Sequence, residues 1–181
     1  MTTQRTDKLE RVARYSRSLR QLFQLLLGAT AIALLVGTLL IATGTDPYDT
    51  SVTVGGAIYV GDVIPAVLRS MAVVGFILST GILLKVLFHL VKLFGLYAQG
   101  KIFSADNVYQ IRQIGIAVML IPTLWTLGLI AVLLVPGHGI ASRIRIDEAP
   151  FTELVVGIII IVVSWIMDVG RELREEQDLV V

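Results

Sequence analysis

Four long apolar runs constrain this chain more than any other feature of it. A helix needs about 20 predominantly apolar residues to cross the hydrocarbon core of a bilayer. Leu22 to Ala42 carries no charge. The second run begins near Ser70 and stays apolar to about Leu90, interrupted by Lys85 and His89 at its far end. Ile114 to Val135 is again uncharged, and Leu154 to Met167 is shorter but reaches spanning length with Phe151 and Val169. Only 16% of the 181 residues are charged, against about 25% in soluble domains. The fold class read from this is an all-α membrane protein of four transmembrane helices, forming a single membrane domain over 1–181. The first run exceeds the roughly 7–15 residues of a signal-peptide core. Ala42-Thr43-Gly44-Thr45-Asp46 after it makes a poor cleavage site, so it reads as a retained helix.

Lysine and arginine placement sets orientation. Arg5, Lys8, Arg11, Arg14, Arg17 and Arg20 precede the first run. Lys85, Lys92, Lys101 and Arg112 lie around the loop after the second, and Arg171 and Arg174 follow the fourth. The opposite side holds only Arg69, Arg143 and Arg145. Twelve against three puts both termini in the cytoplasm, an N-in/C-in protein. The expected division is a basic amphipathic cytoplasmic segment over 1–21, with spans over 22–43, 66–91, 114–135 and 151–169. Outer loops cover 44–65 and 136–150, a cytoplasmic loop 92–113, and a cytoplasmic tail 170–181. Tyr48 and Tyr59 fall outside, Tyr97 and Tyr109 inside, and Trp165 near the inner end of the fourth span. Trp125 lies mid-span, where packing against a neighbouring helix is favoured over a ligand contact.

Helices in lipid associate through close contact of small residues. Ala29, Ala33 and Gly37 form such a stripe on the first helix, and Gly75 with Ser79 on the second, so these two stripes are the expected contact. Pro122 in the third span frees a backbone carbonyl and predicts a kink, with Thr123 and Thr126 placed to satisfy the exposed groups.

Outside, Ser51–Val54 and Ala57–Val60 flank Gly55-Gly56, a hairpin signal. Ser142 to Asp147 alternates polar and apolar with period two. The two outer loops are therefore expected to build a small extracytoplasmic β-hairpin or three-stranded sheet. Its acids (Asp46, Asp49, Asp62) lie mostly in the first loop and its arginines in the second.

Inside, Arg11, Arg14, Arg17 and Arg20 suit anionic lipid headgroups, each attracted by roughly 1 kcal/mol. Lys85, His89 and Lys92 share one helical face as the second helix runs on towards Tyr97. Snorkelling to headgroups is favoured there over an anionic ligand or acidic partner. Asp168 is the most membrane-proximal cytoplasmic acid and is a candidate partner for that stripe. Gly100 suits a helix C-terminus, Ser104 an N-cap and Asp106 the first turn of the next helix. The tail from Asp168 reads as a short charged helix with Arg171–Glu175 and Arg174–Asp178 spaced i, i+4. Five acids against two arginines give it a net charge of −3. Leu179-Val180-Val181 then follows, apolar residues that suggest docking on something.

Two segments together resemble a bacterial membrane family known as domain of unknown function 2975. They are Gly100-Lys101-x-Phe103-Ser104-x-x-Asn107 with Ile111-Arg112-x-Ile114-Gly115, and Gly170-x-x-Leu173-x-x-Glu176-x-Asp178-Leu179-x-Val181. The four-span layout is similar as well. Val180 stands where the family usually has threonine. The resemblance implies no activity, but it implies a frequent setting beside a small helix-turn-helix transcription regulator.

Function is then weighed among three classes. A non-enzymatic regulatory or interaction protein would hold a cytoplasmic partner, such as that regulator. Its contact residues would be Lys85, His89, Lys92, Lys101, Phe103, Ser104, Asn107, Arg112, Asp168, Glu176, Asp178, Leu179 and Val181. A small transporter, channel or lipid-handling subunit is the alternative, although ion paths usually place ionisable residues within spans. The first and third spans have none, and Glu153 and Asp168 flank the fourth. An enzyme is not expected, since no Ser/His pair, paired aspartates or His-rich motif lies within the spans. Cysteine is absent and the two histidines, His89 and His138, are far apart. No catalytic, metal or cofactor site is therefore predicted, and a net charge of +1 gives no reason to expect direct nucleic-acid binding. Homo-oligomers remain open through the leftover small-residue faces.

Overall fold

The computed structural model describes residues 2–43, 51–54, 57–60, 66–101, 103–133 and 149–179. Its elements in chain order are α1 (Thr2–Thr43), β1 (Ser51–Val54), β2 (Ala57–Val60), α2 (Ala66–Ala98), α3 (Ala105–Leu133) and α4 (Ala149–Leu179). All four helices are long and apolar enough to cross a membrane. The basic segment expected over 1–21 and the first span are one helix of 42 residues. No proline interrupts that stretch, so nothing removes a hydrogen bond from its ladder.

Helices pack on their chain neighbours: α1 on α2, α2 on α3, α3 on α4. Along α1, Phe23, Leu27, Thr30, Leu34, Gly37 and Ile41 are shielded, at alternating intervals of four and three. That 3.5-residue repeat keeps one seam facing a partner helix. Phe23 stacks on Phe94 of α2 with ring centroids 5.3 Å apart and planes inclined by 16°. Further along, Gly37 lies under the Phe76 ring. Rising numbers on α1 meet falling numbers on α2, so the pair is antiparallel. The rest of α1 faces outward: Leu25 is 74% and Leu35 73% exposed. In water such a surface would aggregate; lipid solvates it.

The expected contact between two small-residue stripes is not made. Ala29, Ala33, Gly75 and Ser79 are all exposed, and a Cβ added at Gly75 would meet nothing within 4 Å. An every-fourth-residue row is inclined to the helix axis. It leaves a seam that follows 3.5 residues, and only Gly37 belongs to both.

Close backbone approach occurs instead between α3 and α4. A Cβ at Gly157 would lie 2.5 Å from Met119 Cγ and 3.1 Å from the Gly115 carbonyl oxygen. One at Gly115 would lie 2.8 Å from Ile161 Cγ1 and 3.2 Å from the Gly157 carbonyl oxygen. Two helices meet at their glycines, again antiparallel. Beside this contact Ala117 and Ser164 are fully buried. The Ser164 hydroxyl donates to the Ile161 carbonyl at 2.7 Å, so its burial leaves no donor unmet.

Pro122 sits inside α3. The carbonyl it cannot bond belongs to Val118, four residues back. Thr123 Oγ1 donates to the Met119 carbonyl at 3.2 Å and Thr126 Oγ1 to the Pro122 carbonyl at 2.9 Å. The threonines therefore serve neighbouring carbonyls rather than the freed one.

Between α1 and α2, β1 and β2 pair antiparallel, Ser51 opposite Val60 and Val54 opposite Ala57. The Gly55-Gly56 turn, the acids Asp46, Asp49 and Asp62, and the strand expected over Ser142 to Asp147 lie outside the described residues. So do Val180 and Val181, and the Trp125, Arg174, Asp178 and Leu179 side chains.

Antiparallel pairing brings the start of α1, the α2–α3 corner and the end of α4 to one end of the bundle. Arg20 lies across Gly95, leaving eighteen residues of α1 but only three of α2 beyond that level. At about 1.5 Å per residue, α1 overshoots the corner by about 22 Å. From the Gly115–Gly157 contact, ten residues of α3 and twenty-two of α4 remain, so α4 overshoots by about 18 Å.

Candidate functional site

The corner between α2 and α3 is built residue by residue from the first of the two motifs. Gly100 has a φ of 75°, the left-handed conformation that glycine adopts without steric penalty. Its N–H donates to the Tyr97 carbonyl at 3.0 Å, and the Lys101 N–H to the Leu96 carbonyl at 3.1 Å. This is the paired closure of a Schellman motif. Ser104 then caps α3, its Oγ accepting from the Asn107 N–H at 3.4 Å. Asn107, fully buried, reaches back with Nδ2 to the Lys101 carbonyl. The expected assignments of Gly100 as a helix end and Ser104 as an N-cap hold. Asp106 stands in the first turn as expected.

One turn into α3, Gln110 meets α2. His89 Nδ1 lies 2.6 Å from Gln110 Oε1, and both residues are buried. A carboxamide oxygen only accepts, so Nδ1 carries the proton and donates. The Phe88 and Tyr109 rings approach the imidazole edge-on, at 5.7 and 6.4 Å. His89 thus leaves the stripe it was expected to share with Lys85 and Lys92. Lys92 is exposed, with Nζ 4.4 Å from the Phe88 ring centroid, an attractive cation–π geometry. Lys85 is half-buried.

Between α1 and this corner lies an open, solvent-facing cavity of about 310 Å³. It is lined by Arg20 from α1, by Val91, Lys92, Gly95, Leu96 and Gln99 from α2 and its end, and by Asp106 and Gln110 from α3.

Asp168 does not reach the Lys85–Lys92 stripe. Its Oδ1 lies 3.1 Å from Arg171 Nη2, and Arg171 Nη1 lies 2.7 Å from Glu175 Oε1. An arginine three residues away on the same helix is always within reach, and that proximity decides the pairing. Both contacts are partly or fully exposed and add little stability.

The remaining expected site residues divide by exposure. Lys101, Phe103 and Arg112 are exposed on or near the corner, and Glu176 on the end of α4. Phe103 is 53% exposed and Leu173, between Arg171 and Glu176, is 55% exposed. Gln110 and Gln99 were missed. For Gln110 a signal was present: Asn107, Gln110, Ile114 and Ala117 recur at helical spacing, so two carboxamides sit on the apolar face of α3. Gln99 gave no such signal.

The fold and site define a four-helix membrane protein with a polar, cavity-bearing corner at one end. Among the described residues, no three histidine, aspartate or glutamate side chains gather to hold a metal. A family model described as Protein of unknown function (DUF2975) matches residues 65–181, and the chain belongs to that family. No curated protein and no solved structure matches it.

Proposed function

We propose that this protein is a non-enzymatic, membrane-embedded interaction protein that docks a cytoplasmic partner on the corner end of its bundle. The proposed orientation has both termini and the α2–α3 corner in the cytoplasm of a bacterial inner membrane, with the β1–β2 hairpin as an outer cap. Its support is the lysine and arginine asymmetry.

One observation carries the docking reading. Phe103 and Leu173 stand more than half exposed, among charges and outside the spans expected over 66–91, 114–135 and 151–169. Lipid explains exposed leucines within a span; it does not explain these two. An aromatic and an aliphatic anchor rimmed by charge is how protein contacts concentrate their energy. The family setting points to a small helix-turn-helix regulator as the partner, and the acidic end of α4 complements a basic DNA-binding surface.

The test is in-cell crosslinking and affinity purification of the full-length chain, Phe103→Ala, Leu173→Glu, and a version ending at Gly170. Recovery of a helix-turn-helix protein with the full chain, and its loss in all three variants, supports the reading. Equal recovery from every version, or none from the full chain while it resides in the membrane, overturns it.

A further inference from the structure

The cavity beside the corner is unusual in its charges. Arg20 and Lys92 bring two cations and Asp106 one carboxylate, yet no ion pair joins any of the three to a described residue. Opposite charges lining one space without pairing leave it complementary to a ligand that is itself dipolar. Gln110 adds a second, independent constraint. Its side chain is 7% exposed and its Oε1 is occupied by His89. What Gln110 can still offer the cavity is its Nε2 amide, which makes no hydrogen bond to a described residue. An amide donor beside two cations suits phosphate oxygens. Asp106, acceptor-only when ionised, would repel that phosphate but pairs with an ammonium. Val91 and Leu96 give the same space an apolar wall.

We propose that this cavity binds the headgroup of an aminophospholipid, its phosphodiester on Arg20, Lys92 and Gln110 and its ammonium on Asp106. Phosphatidylethanolamine has that chemistry. A purely anionic headgroup would leave Asp106 unpaired beside a phosphate. The His89–Gln110 bond holds the amide donor in place, so His89 is a positioning residue.

The experiment uses the full-length chain in detergent, mixed with equal amounts of phosphatidylethanolamine and phosphatidylglycerol of identical acyl chains. Native mass spectrometry reads the lipid retained. Retention of phosphatidylethanolamine is expected to exceed phosphatidylglycerol by about tenfold, the worth of one hydrogen-bonded charge pair. Asp106→Asn is expected to erase that preference by lowering phosphatidylethanolamine retention to the level of phosphatidylglycerol. Arg20→Gln is expected to lower retention of both lipids. Asp106 is exposed, so its variant decides the matter even if Arg20→Gln fails to fold. Equal or greater retention of phosphatidylglycerol by the unmodified protein overturns the proposal, as does an Asp106→Asn variant that keeps the preference. Displacement of the lipid by an equal concentration of water-soluble glycerophosphoethanolamine also overturns it, by assigning the site to a free phosphodiester.

Discussion

The two outer helices are attached to the bundle by different physics. α1 leans on α2 through a side-chain seam, with a phenylalanine ring filling the space over Gly37 and an aromatic stack at Phe23 and Phe94. α4 meets α3 through backbone, each glycine placing its partner's carbonyl within about van der Waals reach of where a Cβ would be. Side chains can move aside; backbones of packed helices cannot without separating the helices. The α1 seam is therefore a deformable joint and the α3–α4 contact a rigid one. The regions beyond them differ accordingly, a long basic arm on the deformable joint and an acidic arm on the rigid one.

The largest expected effect tests rigidity. Gly157→Ala places its Cβ against both Met119 and the Gly115 carbonyl, and is expected to destabilise the protein by about 2–3 kcal/mol. Adding Met119→Ala removes the side-chain clash but not the backbone one, so it should restore only a minor part. Unfolding titrations in mixed micelles would measure both. Full rescue by Met119→Ala would mean that the α3–α4 contact is held by side chains after all.

Next in size comes Gly37→Ala. Its Cβ would lie 2.6 Å from Phe76 Cζ, the far end of a side chain that can turn away, so the cost is expected near 1 kcal/mol. Phe76→Leu should rescue it almost entirely, in the same titration. Failure of that rescue would remove the distinction between the two joints.

How far these joints were legible differs in the same way. The four spans were plain because composition alone sets them. The corner was legible because Gly100, Ser104 and Asp106 act through local backbone geometry that needs no knowledge of a second helix. The seam was not. Ala29, Ala33 and Gly37 gave the eye a four-residue row, but which face meets α2 depends on how two helices cross. Gly115 and Gly157 lie 42 positions apart, and nothing local to either announces the other. His89 with Gln110 was hidden for the same reason, whereas Asp168 misled because a distant lysine stripe was weighed above the arginine one turn away.

The corner joins the two joints, and each of its own variants should cost no more than the one at the deformable joint. Ser104→Ala removes the cap on α3 and is expected to cost about 1 kcal/mol. Gly100→Ala forces a Cβ into the left-handed region and is expected to cost about 1 kcal/mol as well. The two should be nearly additive if the Schellman closure and the cap act as separate local devices. A strong departure from additivity in the double variant would show the corner to be one cooperative unit that couples α2 to α3.

The smallest effect is expected at the far end of the rigid joint. Arg171 bridges Asp168 and Glu175 along one partly exposed face of α4, contacts that pay side-chain entropy for a screened attraction. Arg171→Gln should leave the unfolding titration unchanged, since nothing beyond α4 depends on those bonds. It does raise the negative charge at the end of α4, where the proposed partner docks. Partner recovery should therefore hold or rise while stability stays level. A clear loss of stability would instead mean that the end of α4 folds back on the bundle. The rigid joint would then extend past the membrane, and the acidic arm would belong to the packed structure rather than to a docking surface.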